Sequence, residues 1–488
     1  APLRSPGVAG MRSFLRAVAR DVKSGLAAPH PGSRAGYASE RQVVARERTA
    51  VTAKLWEDRL AQARASGGVL EAATQSQETL VAKPPTRSSI RYGFVGDAGL
   101  LEAYRNPWNA VRVGRVLEDL DSLAGNIAFL HCDDANRNTR PQLLVTASVD
   151  RVRLLRKLSL EEDVVLSGAV AWVGNSSMVI RMEAWPATHP DAPTGDLRED
   201  DAGDKNKKVK ENSNPKESES ESPSPKYSPG PSLSADFTFV ARDAVTNKAA
   251  AVNSLLPGTE TEKALFASTA KRVEHKKKRL KLLKAGDQGL SETLQLAKRK
   301  FVESVTRETR TRKELPSLAS ADDILSTTTK TENIFVAQPQ QRNLSGRIFG
   351  GFLLRRAFEL AFATSYVFGG SRPTFKSVRD MDFLKPVDVG DLLRFKARVL
   401  HVDFDNGKDN KVSSHDNTQC VDVEVECFVT RPEMVTSEVS NTFLFTFFVD
   451  SQNGKTTKRV LPNSKEDAAH VWERCVRPRI DTETDYGR

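Results

Sequence analysis

The chain has 488 residues and is basic, with 73 Lys and Arg against 63 Asp and Glu. That length allows two or three domains. Four scattered cysteines and seven unclustered histidines show no disulfide framework, redox motif or metal-ligand spacing, and no apolar run approaches the ~20 residues of a membrane-spanning helix; a reducing compartment and no bound metal are expected.

The first element is "MRSFLRAVARDVKSGLA". Phe14, Leu15, Val18, Val22 and Leu26 fall on one helical stripe, with Arg12, Arg16, Arg20 and Lys23 largely opposite. Asp21 is the only acid before Glu40. Arg-rich, acid-poor and amphipathic is the mitochondrial presequence pattern, so residues 1–50 are expected to direct import. An ordinary amphipathic surface helix is the alternative.

Residues 86–257 read as one α+β unit. "VGRVLEDLDSLAGNIAFLHC" has helical spacing and is followed by Val- and Ile-rich alternating runs with "VGNSS" as a hairpin turn. A segment from Leu197 to Ser234, charged, Ser- and Pro-rich and almost without large apolar residues, interrupts the unit. It cannot repay the entropy of ordering and is expected to be a disordered insertion. "ADFTFVARD" then supplies a last strand. Residues 258–332 form a basic helical linker containing "HKKKRLKLLK". Such runs are usually solvated helix faces. No aromatic residues interleave with the charges, so no specific nucleic-acid site is expected.

Residues 333–462 repeat the order of the first unit: a helix at "FGGFLLRRAFELAFATSYVF", a strand, a polar break and long strands. "SVDRVRLLRKLSLEEDVVLSGAV" lies over "SVRDMDFLKPVDVGDLLRFKARV" with one gap. Residues 463–488 remain as a C-terminal tail. A single long helix followed by antiparallel strands suggests a sheet wrapped around that helix.

Two features of these helices have chemical interest. The second opens on Gly350 and Gly351, although glycine costs about 1 kcal/mol per helical position against alanine. Bare backbone at a helix start permits close packing. It also lets an anion reach the unpaired N–H groups of the first turn. In the first helix, Leu117, Leu120, Asp121 and Ala124 share one face. A carboxylate directed at a core is costly without a partner or a task.

"RVLEDLDSLAG", "VAWVGNSSMVIRMEA", "FVARD" and "GRIFGGFLLRRAFELA" with "GGSRP" and "KPVDVGDLL" resemble the mitochondrial acyl-coenzyme A thioesterases with two hotdog domains. The resemblance runs from about Ser88 to Pro462, omitting the insertion. It implies a tandem double hotdog, acyl-CoA as the ligand, its hydrolysis to fatty acid and CoA, and no cofactor beyond the CoA of the substrate. It implies further assembly, as a homo-oligomer or within a larger mitochondrial complex, in or facing the matrix. By the same resemblance Asp121 is the general base, and the Gly350–Gly351 turn is the oxyanion donor. An asparagine just before the glycine pair, supplied by the partner domain, is Asn109 in the first unit, where the second has Gly346. Asn343 lies three residues early. Phe358 stands where the first unit has Asp121, with Glu359 beside it as a recruited base or as an ion-pair partner of Arg355. Neither composite site matches completely, which leaves a catalytically inactive structural subunit as the alternative.

Overall fold

The computed structural model describes residues 80–133, 142–193, 230–243, 246–285, 290–343, 346–404, 418–450 and 458–478, with short pieces at 49, 52–55, 57, 73–74 and 139–140. The presequence-like stretch, apart from Thr49, and most of the insertion lie outside the described residues. The insertion ends earlier than its composition suggested. Leu233 is fully buried and already starts a strand, because its side chain is needed in the core.

The first repeat runs β1 (Arg87–Tyr92), α1 (Ala98–Tyr104), α2 (Val113–Cys132), β2 (Leu143–Leu154), β3 (Val164–Val173), β4 (Ser177–Pro186) and β5 (Leu233–Arg242). Two helices follow, α3 (Glu260–Ala285) and α4 (Glu292–Glu314). The second repeat runs β6 (Thr331–Val336), α5 (Gly350–Gly369), β7 (Thr374–Phe383), β8 (Leu392–Phe404), β9 (Thr418–Arg431) and β10 (Thr436–Asp450). The stretch read as a tail carries α6 (Lys465–Val471), N-capped by Ser464, and the turn after it buries Trp472 and Cys475 near Phe301 of α4.

All ten named strands form one antiparallel sheet in the order β1-β3-β4-β5-β2-β7-β10-β9-β8-β6. Each half has the same internal order: pre-helix strand, then second, third, fourth and first of the strands after the helix. The junction is β2 against β7, with Ser377 opposite Arg153, Val378 opposite Val152, Met381 opposite Val149 and Asp382 opposite Ser148. Bulges fix which residues correspond. Thr146, Ser148 and Val149 pair with Phe239, Thr238 and Phe237, with a bulge after Thr146. Phe375, Ser377 and Val378 pair with Phe447, Thr446 and Phe445, with the same bulge after Phe375. Ser148 therefore corresponds to Ser377, and the junction register is its own mirror under a local two-fold axis.

The two central helices lie together inside the curved sheet. Leu117, Leu120, Leu123, Ala124, Ile127 and Ala128 of α2 are fully buried, and truncating one such Leu to Ala costs about 2–5 kcal/mol. Gly370 ends α5 in the left-handed conformation (φ 67°), its N–H bonded to the Tyr366 carbonyl, so the chain can reverse into β7. Asp119, also on α2, is fully buried and accepts from the hydroxyls of Tyr92 (2.6 Å), Thr52 (3.1 Å), Tyr104 and Thr49. Burial raises its pKa, and these hydroxyls tie Thr49 and Thr52 to the helix.

Candidate active site

Both central helices span 20 residues. The two-fold axis therefore matches Val113 with Gly350, Gly114 with Gly351, Glu118 with Arg355, Asp121 with Phe358 and Ser122 with Glu359. Neither helix has a side-chain cap at its N-terminus, where Arg112 and Phe349 stand. Each first turn is left with backbone N–H groups that lack intrahelical acceptors. Each N-terminus meets the flank of the other helix, so the pair has two crossings.

At the first crossing Asp121 faces the start of α5. A Cβ on Gly350 would lie 3.2 Å from Asp121 Oδ2 and 2.9 Å from the Phe383 ring. A Cβ on Gly351 would lie 3.0 Å from the Glu118 carbonyl. The packing leaves little room for a side chain at either glycine, and the bare backbone brings a carboxylate against a helix N-terminus. Asp121 is 2% exposed, and Thr146 of β2 donates a 3.0 Å hydrogen bond to its Oδ1.

At the second crossing both polar partners are replaced. Phe358 takes the place of Asp121, with its ring 3.1 Å from where a Cβ on Gly114 would be. Phe375 takes the place of Thr146. The two rings meet edge-on with centroids 5.3 Å apart. A cavity of about 490 Å³ opens here, its wall including Asn106, Val113, Gly114, Phe358 and Glu359.

The loops before the helices also correspond. Arg105 pairs with Val111, and Arg342 pairs with Ile348. Asn106 therefore matches Asn343, and Asn109 matches Gly346. Asn106 Oδ1 accepts from the N–H of Trp108 and Ala110, and Asn343 Oδ1 accepts from that of Arg347. Asn109 and Gly346 are both left-handed, with φ of 57° and 85°. Asn and Gly are the residue types that tolerate that corner best. The expected match of Asn109 with Gly346 holds, but Asn109 sits exposed on the turn, whereas Asn106 lines the cavity. Asn343, three residues before Gly346, holds the place of Asn106 in the loop before the Gly350–Gly351 turn. The interval from Asn106 to Asp121 equals that from Asn343 to Phe358, a signal present in the sequence.

Asp121, Gly350 and Gly351 thus come together, and Glu359 belongs to the other crossing. Glu359 is ion-paired with Arg355 (3.2 Å), Arg356 (3.4 Å) and Arg112 (3.5 Å). Between the crossings, Glu118 and Arg355 pair across the axis at 3.0 Å. Burial lifts the Glu118 carboxyl to about 7 against the pull of that guanidinium. Thr146 and the Glu118–Arg355 pair escaped the sequence reading, because nothing local marks either contact. Among the described residues no group of three or more His, Cys, Asp and Glu side chains is placed to hold a metal ion, and no helix is long and apolar enough to cross a membrane.

The fold and this site define a tandem hotdog protein with a buried carboxylate facing an uncapped helix start across the domain contact. The family model described as Thioesterase superfamily matches residues 114–192, from α2 past β4. Acyl-coenzyme A thioesterase 4, mitochondrial, of Humulus lupulus is 41% identical over 444 residues, covering 89% of this chain and 73% of that protein. Acyl-coenzyme A thioesterase 2, chloroplastic, of the same organism is 42% identical over 405 residues, covering 82% of each. Acyl-coenzyme A thioesterase 9, mitochondrial, of Mus musculus is 32% identical over 366 residues, covering 73% of this chain and 70% of that protein. The chain belongs to the acyl-coenzyme A thioesterase family.

Proposed function

We propose that the protein hydrolyses acyl-CoA to a free fatty acid and CoA at the crossing of Asp121 with the Gly350–Gly351 turn. Asp121 takes a proton from water as the water oxygen attacks the thioester carbonyl. The first-turn N–H groups of α5 receive the developing oxyanion. The C–S bond then breaks, and the proton passes from Asp121 to the CoA thiolate. Thr146 orients the carboxylate. No cofactor takes part beyond the CoA of the substrate. The observation that carries this reading is the approach of Asp121 Oδ2 to Gly350. The names of the relatives support it and do not favour an inactive structural subunit. Thiol release from acyl-CoA by the purified protein and by Asp121→Asn tests it: no release by the native chain at any acyl length refutes it.

The Arg-rich start and the mitochondrial relatives support a mitochondrial location, in or facing the matrix. A reporter fused to residues 1–50 that stays in the cytosol refutes that. Assembly into a homo-oligomer belongs to the same reading. Ile334 and Val336, exposed on edge strand β6, offer apolar surface for it, and light scattering measures the mass.

A further inference from the structure

We propose that the cavity beside Phe358 is a second acyl-CoA site, one that binds the thioester without hydrolysing it. The inference rests on acyl-CoA as the ligand of the first crossing. Its volume lies within the range of small-molecule sites, and its apolar floor of Phe358, Phe362, Phe375 and Leu158 suits an acyl chain. The rim is cationic. Arg112, Arg115, Lys157 and Arg372 line the cavity against one carboxylate, Glu359, which Arg112 shares with Arg355 and Arg356. Among the described residues neither Lys157 nor Arg372 has an ion pair, and Arg115 Nε has no hydrogen-bond acceptor. Burial and the neighbouring Arg355 and Arg112 guanidiniums lower the Arg115 pKa, as expected where positive charge is in excess. A phosphate-bearing head group would relieve that excess. Trp108, 39% exposed at the mouth with Arg372 over its ring, offers a face to a purine.

The same cavity lacks what hydrolysis needs. Its thioester carbonyl would meet the uncapped start of α2, but Phe358 and Phe375 stand where the other crossing has a base and the hydroxyl that orients it. Two aligned polar-to-aromatic exchanges remove both members of one hydrogen-bonded pair while the pocket itself stays open.

The test is calorimetric titration of the full chain with S-butyl-, S-octyl- and S-hexadecyl-CoA, thioethers that cannot be hydrolysed. Two equivalents per chain are expected with at least one of them. Lys157→Glu with Arg372→Glu, both at exposed positions, should weaken one equivalent by roughly tenfold or more. Trp108→Phe should abolish an indole fluorescence change that accompanies the same equivalent. A single equivalent, or two with affinities unmoved by the charge reversals, overturns the proposal. Two equivalents without hydrolysis of acyl-CoA would defeat the catalytic reading and leave this one standing; hydrolysis with a single equivalent would do the reverse.

Discussion

Asp121→Asn exchanges one oxygen for an NH2 group in a side chain that is 2% exposed. The remaining oxygen can still accept from Thr146, which now donates at 3.0 Å, so the fold has no cavity to absorb and no hydroxyl to orphan. Removing a buried charge also relieves its desolvation, so stability should change by no more than about 1 kcal/mol. The rate should not survive. An amide cannot take the water proton, and loss of a general base commonly costs 10²–10⁴-fold, or about 2.7–5.5 kcal/mol of barrier. Thiol release at saturating acyl-CoA measures kcat, and chemical denaturation measures stability in the same preparation. KM should stay within about threefold, because the contacts to CoA are untouched. A folded Asp121→Asn chain with more than a tenth of native kcat would refute the assignment. If Glu359→Gln lost activity instead, the working site would be the Phe358 crossing.

Thr146→Val removes the hydroxyl that holds Asp121 and should lower kcat by roughly tenfold with KM little changed; equal loss in both parameters would point to binding. Asn109→Gly should leave activity and stability near native, whereas Asn109→Ala should cost about 1 kcal/mol from left-handed strain, measured by denaturant unfolding; a collapse of kcat in Asn109→Gly would return Asn109 to the catalytic set. The Glu118 carboxyl is raised from its ordinary 4.5 to about 7. Between those values the folded chain keeps a proton that the unfolded chain has lost. Its contribution is therefore full below pH 4.5 and declines as pH rises to 7, by about 3 kcal/mol at most. Glu118→Gln should flatten that slope between pH 5 and 7.5, and an unchanged slope would place the effect elsewhere.

The duplication was legible because helical and alternating periodicities are local and occur twice in the same order. The glycine pair and the position of Asp121 on the buried stripe of α2 were legible for the same reason. The match of Asn109 with Gly346 was legible, whereas that of Asn106 with Asn343 was missed, although their equal intervals to Asp121 and Phe358 were available. Left-handed Asn109 and Gly346 look like a lost functional pair until the backbone shows that both serve a turn. What the linear chain could not express was which side chains meet. Thr146 reaches Asp121 only through the sheet curving around α2. Glu118 meets Arg355, and Asp121 meets Gly350, only because β2 and β7 join edge to edge in one register. Each of those contacts spans more than two hundred positions along the chain, except that of Thr146. The pattern within any one segment determined which face is buried. The pairing of two edge strands decided what that face is buried against, and with it why one crossing holds a carboxylate and the other an open, cation-rimmed cavity.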